Sequence, residues 1–478
     1  MDGNENPYDL VVIGTGGGGF AAAIAASRRG GSVAIVDRGT LGGTCTNTGC
    51  IPSKALLAAA AARHAASDAA RFPGISSSHG AVAMDDLVAG KRALVDRMRA
   101  SKYEDLVDAY GWDFYAGHAA FSGEPEHPVL DVALAGGKRA VVRGRHYVVA
   151  TGSALWTPEI PGLAEAQYLT STTAMELTEL PESVVVLGGG YVAVELAQLF
   201  ARLGSEVTVL ARSRLVSHEE PEASRALEDA LADEGVRTVR RAVPVGVSRQ
   251  PDGGVIVTAD VAGQRRGFSA ARLLVATGRR PVTDRLGLDR MGVEVGEGGQ
   301  IRVDACQRTT NPRVWAAGDV TGGPEFVYVA AAQGEVAAEN ALADTGRRLD
   351  VRALPRVAFT SPALAVAGMT EREAHASDIA CECRVLPLEH VPRAIVDRDT
   401  RGFVKIVAEA GTGRIVGVTA VAREAGEMAA SAVHLIESGT TVADLAQRWA
   451  PYLTMAEALR IAAQSFTQDI SLLSCCAA

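Results

Sequence analysis

Two glycine-rich turns, each set between an apolar strand and an alanine-rich helix, leave this chain few folds to choose from. The first lies in DLVVIGTGGGGFAAAIAASRRG, where Gly14, Gly16 and Gly19 keep a G-x-G-x-x-G spacing directly after the run Leu10 to Ile13. In such a spacing the first glycine permits a tight turn and the second lets the backbone approach a pyrophosphate. The third lets the helix pack on the strand, with the anion at the helix N-terminus. A second strand, SVAIVD, ends in Asp37, where a carboxylate can accept from a ribose hydroxyl.

The pattern recurs in SVVVLGGGYVAVELAQLFARLGSEVTVLAR, with Gly188, Gly190 and Ala193 after the strand Val184 to Leu187 and Glu195 in the helix that follows. Two cradles imply two dinucleotides. Here the second strand, Val207 to Leu210, ends without an acid and is followed by Arg212 and Arg214. Arginine accommodates a 2′-phosphate where a carboxylate would repel it, so NADP(H) is expected at this site; the alternative is that both arginines merely solvate a loop.

At 478 residues the chain exceeds what one hydrophobic core organises. Its net charge of -9 provides no basic stripe for nucleic acid. Seven cysteines are too few for a disulfide framework and odd in number, which fits a reducing cytoplasm. The amino terminus MDGNENPYDL lacks the features of a secretory signal. Leu10 to Ser27 is uncharged over a length at which a membrane helix is a candidate, but its clustered glycines read better as strand, turn and helix, so no membrane insertion is expected.

Three further strands end in small-residue turns: YVVATGS, carrying Thr151 and Gly152; LLVATGRRP; and VWAAGDV, whose Asp319 could hydrogen-bond ribityl or phosphate groups. Between the first cradle and these lies GGTCTNTGCIPSKALLAAAAA, with Gly43, Thr44, Cys45, Cys50 and Lys54. Pro52 at the first helical position would put Cys50 at a helix N-terminus, where the dipole and Lys54 favour the thiolate that attacks disulfides and binds soft metals. Zinc is the rival use for two spaced cysteines, but no partnered Cys/His pair lies nearby.

The order of these motifs resembles that of the FAD-dependent pyridine nucleotide-disulfide oxidoreductases over essentially the whole chain, including a last third similar to their interface domain (FTSPALAVAGMTEREA). The resemblance implies an α/β fold: two Rossmann-like dinucleotide-binding domains, for FAD and NADPH, and a C-terminal α+β dimerisation domain. The boundaries expected are 1–150 for the first part of the FAD domain, 151–280 for the NADPH domain, 281–350 for the returning FAD segment and 355–478 for the interface domain. It also implies a redox-active Cys45/Cys50 pair, with Cys50 next to the flavin, Cys45 the outer interchange thiol, and Lys54 near flavin N5.

Members that reduce glutathione or lipoamide carry a His-Pro-Thr-x-x-Glu run, whose histidine is the acid/base for thiol exchange. This chain has YLTMAE instead: Tyr452 stands where histidine is expected, and Thr454 and Glu457 keep their places. With the terminal pair Cys475 and Cys476, this resembles the mercuric reductase branch of the family. Soft thiolates select soft ions, so the implied route for Hg(II) runs from its thiol complexes to Cys475/Cys476, from the partner subunit's tail in a homodimer to Cys45/Cys50, and there to reduction. Tyr103, in KYEDL, is the candidate second tyrosine of the inner site, or else an ordinary amphipathic-helix residue. Many of that branch carry an amino-terminal metal-binding domain with Cys-x-x-Cys, whereas this chain begins directly at the flavin fold.

A large thioredoxin reductase is the nearest rival, though those keep the histidine; a metal-sequestering protein on an inherited flavin fold is the rival from another class. Cys306, after IRVDAC, reads as a buried structural thiol. Cys381 and Cys383 in ACECRV would share one face of a strand and could form an accessory metal contact, though with no further cysteine or histidine cluster the plain structural reading is preferred; DRDTRG reads as a charged hairpin turn.

Overall fold

The computed structural model describes residues 6–472, so Cys475 and Cys476 lie outside the described residues. The chain forms two compact units. One takes the chain up to Ser53 with Val88–Trp156 and Gly278–Leu349; the other takes Lys54–Leu87, Thr157–Thr277 and everything from Asp350. Lys54–Leu87 thus falls in the second unit and not with the stretch that precedes it.

The first unit is built on a sheet whose strands lie in the order Val314–Ala316, Gly144–Val149, Tyr8–Ile13, Val33–Asp37, Asp113–Glu124, His127–Leu134 and Arg139–Val142. The first five run parallel, and each of the last two is antiparallel to the strand before it. Its central strands are apolar on both faces because both are covered: Leu10, Val12, Ile35 and Val148 enter one cluster, Val11, Ile13, Val36 and Val149 another. Helices Gly17–Arg28 and Val327–Ala343 lie on the first face. They meet so closely that a Cβ on Gly334 would come 2.0 Å from the carbonyl oxygen of Gly18. That contact gives a use to the glycines of GTGGGG beyond the phosphate spacing, and the buried Ala22, Ala26, Ala337 and Ala341 continue the seam.

The second unit holds a parallel sheet (Arg237–Arg240, Glu206–Ala211, Ser183–Leu187, Arg272–Val275) and an antiparallel one (Ala242–Arg249, Val255–Val261, Gln264–Ala270). Its C-terminal part is a five-stranded antiparallel sheet in the order Pro355–Ala358, Ala363–Gly368, Ile415–Ala422, Phe403–Glu409, Cys381–Pro387, packed with helices Ala425–Glu437 and Glu457–Gln464 around one core. Buried ions tie the parallel sheet's domain to this one. Lys405 Nζ, 2 % exposed, lies 3.0 Å from Glu220 and 2.7 Å from Glu371, and the Arg356 guanidinium grips both oxygens of Glu219 at 3.0 Å. Removing one partner of such a buried pair would leave the other charge uncompensated.

Local expectations fail in three places. Cys306 is half-buried in a turn: Asp304 Oδ1 accepts from the N–H groups of Cys306 and Arg308, and that turn ends the run IRVDAC before a strand forms. DRDTRG is no hairpin, because helix Pro392–Asp397 ends there with Arg398 left-handed (φ 54°). Pro52 is the third helical residue, since the helix Cys50–Asp68 already starts at the cysteine. Among the described residues no helix is long and apolar enough to cross a membrane.

The helix seam can be tested directly. Gly334→Ala should lower the free energy of unfolding by at least about 1–3 kcal/mol through overpacking. Gly90→Ala, in the exposed helix Met84–Arg99 with open space at its Cβ position, should be neutral or stabilising by about 0.5–1 kcal/mol. Denaturant midpoints with unchanged m-values check both.

Candidate active site

The first cradle is shaped by contacts that exclude side chains. Gly14 has φ +110° and a Cβ there would strike the carbonyl oxygen of Ala150 at 2.2 Å; a Cβ on Gly19 would strike that of Gly14 at 2.0 Å. At Gly16, by contrast, a Cβ would meet nothing within 4 Å, so the space it would fill is open for a pyrophosphate. Asp37 braces the turn from below: Oδ2 accepts from the backbone N–H of Thr15 at 2.7 Å and its hydroxyl at 2.5 Å, and Oδ1 from Gly39 N–H at 2.7 Å. A carboxylate has room for about four donors, so Asp37 retains capacity for a ribose hydroxyl.

The cysteine turn sits on this cradle. Gly43 has φ +61°, and a Cβ on it would lie 2.5 Å from the Cα of Gly16. Gly43, Thr44 and the half-buried Cys45 lie in the short helix Gly43–Asn47, and the exposed Cys50 opens the next helix. Asn47 Nδ2 donates to the carbonyls of Leu41 and Gly43, and its Oδ1 accepts from Arg99. Tyr103 lies against the same turn: its ring would be 3.1 Å from a Cβ on Gly42, and it packs edge-on to Phe20 at 4.6 Å. It belongs to a single π-helical turn, Ala100–Glu104, a feature common at functional sites.

In the same unit Thr151 Oγ1 donates to Val282, Gly152 is left-handed (φ +68°), and Asp319 Oδ2 accepts from Ser153 Oγ at 2.7 Å. Arg279 clamps Ser153 through its hydroxyl and carbonyl.

In the second unit Lys54 Nζ is 2.7 Å from Glu195 Oε2 and 4.5 Å from the centroid of the Phe359 ring, and Glu195 Oε1 accepts from Phe359 N–H at 2.8 Å. Glu195 is therefore a buried anchor that aims the lysine, a role its place in the second cradle does not suggest. In that cradle Gly188 (φ +129°) would clash with Ala276, Ala193 is fully buried and Gly190 faces open space. The two arginines part company. Arg214 Nη2 donates to the carbonyls of Ser217 and Glu219 while its Nη1 is buried without a hydrogen-bond partner among the described residues. Arg212 is exposed at the strand end.

Tyr452, half exposed, occupies the turn before helix Glu457–Gln464. The next residue, Leu453, is left-handed (φ 61°), a strained conformation for a bulky side chain that is kept where the surroundings enforce it. Buried Glu457 does so: it accepts from Leu453 N–H at 3.3 Å and from Arg460 at 3.2 Å. Sequence reasoning missed Thr15, Asn47, Ser153, Arg279 and Phe359, because each acts by a hydrogen bond or ring contact that no spacing announces.

Residues 8–334 match the model of the pyridine nucleotide-disulphide oxidoreductases, and residues 354–463 match the dimerisation domain of the same group. The chain belongs to this family. It is 53% identical over 470 residues to a mercuric reductase of Streptomyces lividans, covering 98% of each chain. It is 41% identical to a mercuric reductase of Staphylococcus aureus (99% of this chain, 85% of that one). Among solved structures it resembles a Cu(II) complex of the HOCl-induced flavoprotein disulfide reductase of Escherichia coli, at TM-score 0.85 and 29% identity over 97% of this chain and 100% of that one.

Asp37→Ala should leave the Thr15 N–H, in a residue with no exposed surface, without an acceptor. The expected loss is about 1–3 kcal/mol of unfolding free energy. Asp37→Asn, which keeps an acceptor oxygen, should lose less, and a thermal melt of the two variants side by side decides it.

Proposed function

We propose that this family member is an NADPH-dependent flavoprotein that reduces Hg(II) to Hg(0), with Cys45 and Cys50 as the inner thiol pair. The observation that carries the reading is at Tyr452. The turn holds a phenol, and buried Glu457 is engaged by Leu453 N–H and Arg460, so no imidazole–carboxylate dyad is available there to protonate a departing thiolate. Near-full-length identity to proteins named mercuric reductase supports the same assignment.

The open faces at Gly16 and Gly190 fit two pyrophosphates, and the unpartnered Arg214 Nη1 with exposed Arg212 fits the 2′-phosphate of NADPH. When bound, FAD and NADPH supply the two electrons that reduction of Hg(II) needs. The chain's own residues do the rest. Cys45 and Cys50 take the ion as a bis-thiolate, with Cys50 at the helix N-terminus stabilised as an anion. Lys54, aimed by Glu195, provides a fixed positive charge one helical turn after Cys50. Tyr103, packed against the cysteine turn, is the phenol beside the ion. On reduction both sulfur–mercury bonds break to give Hg(0) and two thiolates, so no proton is delivered to sulfur. Cys475 and Cys476 carry the ion in from thiol complexes, as the tail of the partner subunit in a homodimer. The compartment is the cytoplasm.

NADPH oxidation by the purified protein should depend on Hg(II) supplied in excess thiol, with volatile mercury trapped. Oxidised glutathione, lipoamide and thioredoxin should not support it, and turnover on any of these instead would overturn the assignment. Cys45→Ala and Cys50→Ala should each abolish Hg(0) release. Cys475→Ala with Cys476→Ala should slow turnover on bulky mercury–thiol complexes while NADPH still bleaches the flavin; unchanged mercury turnover removes the tail from the route. Arg212→Ala should raise KM for NADPH about tenfold or more with little change for NADH, the loss expected of one charge-assisted contact.

A further inference from the structure

A second pair of thiols lies far along the sequence from the inner one. Cys381 and Cys383 open the strand Cys381–Pro387, at the edge of the C-terminal sheet, and the period of two puts both side chains on one face. Both are half-buried. Opposite them stands the short helix Glu371–Ala376, joined to the strand by a tight turn, whose Glu371 and His375 are one helical turn apart. His375 Nε2 lies 3.4 Å from Cys381 Sγ. The Cys383 thiol hydrogen-bonds that of Cys381, and burial, with Glu371 beside it, pushes it up to about 12. Glu371 is itself held ionised by Lys405, 2.7 Å away.

This geometry disfavours a disulfide. Alternate residues of a strand are about 6.7 Å apart with parallel side chains. A disulfide needs Cβ atoms about 3.5–4.5 Å apart. Two metal–sulfur bonds laid end to end, at about 2.3 Å each, hold sulfurs about 4.6 Å apart, which two parallel thiol side chains can span by leaning toward each other. Nor does it suit a tetrahedral ion, since among the described residues no group of three or more His, Cys, Asp or Glu side chains could hold a metal. What remains is an ion content with two sulfurs in line.

We propose that Cys381 and Cys383 form a second site for a soft, two-coordinate d10 cation, loaded by exchange from thiol complexes at the sheet edge. In the exchange two protein S–H bonds and two metal–sulfur bonds to the carrier break. Two metal–sulfur bonds to the protein form, and the carrier leaves as two thiols that take the protons; no electron moves. The site does not depend on Hg(II) being reduced elsewhere in the molecule.

The test is binding. Full-length protein carrying Cys45→Ala, Cys50→Ala, Cys475→Ala and Cys476→Ala, exposed to Hg(II) in excess monothiol and desalted, should retain about one ion per chain. Adding Cys381→Ser and Cys383→Ser should abolish retention, with Cys306 present in both as the lone-thiol control. Zn(II) should not be retained by either. In the unsubstituted protein, Hg(II) should protect the peptide holding both cysteines from alkylation. Retention that is absent from the first variant, or equal in both, overturns the site, as does alkylation of Cys381 and Cys383 unaffected by Hg(II). None of these readouts involves mercury reduction, so failure here and failure of the reductase assignment are told apart.

Discussion

The structure turns on a contact between two backbones: Gly43, at the start of the cysteine helix, rests on Gly16 of the first cradle with no space for a Cβ between them. A phosphate cradle and a thiol turn are common separately. Pressed together, they fix how far the cysteines can stand from whatever the cradle holds. That placement cannot be reached by side-chain adjustment, because neither partner has a side chain. Gly42, at φ +97°, sends the chain into the cysteine helix; Asn47 ties its carbonyls; Tyr103 covers it. Each acts to keep the turn against the cradle.

Sequence reading reached the fold through features that act locally. Glycine spacing, β-branched runs and small-residue strand ends are imposed by backbone sterics within a few residues, so the strands at Tyr8–Ile13, Val33–Asp37, Ser183–Leu187 and Glu206–Ala211 were legible. The run IRVDAC failed because alternation alone does not supply a neighbouring strand: Asp304 offers the backbone a turn, and only Ile301 keeps an isolated bridge, to Val295. The functional residues divide in the same way. Glycines and cysteines declare themselves by type and spacing. Glu195 does not declare its part, since its partners Lys54 and Phe359 lie 141 and 164 positions away. Arg214 shows the converse, a residue singled out for its charge whose guanidinium is partly spent on two loop carbonyls.

The region around Tyr452 shows how one framework can serve two chemistries. A glutamate beneath a histidine can orient the ring and stabilise its charged form. With a phenol in that turn in place of an imidazole, a buried carboxylate needs other donors. Leu453 supplies one by adopting a left-handed conformation, and Arg460 supplies the second. Both donors come from this turn and the helix it leads into, so the carboxylate is satisfied with no imidazole beside it.

The two thiol pairs within the described residues differ in electrostatics more than in type. Cys50 opens a 19-residue helix, where the dipole favours an anion before any ion arrives. Cys383 is half-buried beside the carboxylate of Glu371, surroundings that hold the thiol protonated until something replaces the proton. A pair of the first kind suits chemistry that needs a standing nucleophile. A pair of the second kind is quiet toward oxidants, because the thiolate is the reactive form, yet it still yields its protons to an ion that binds sulfur strongly enough. The proposed edge-strand site thus differs from the Cys45/Cys50 pair in the carboxylate beside it rather than in the ligands it offers.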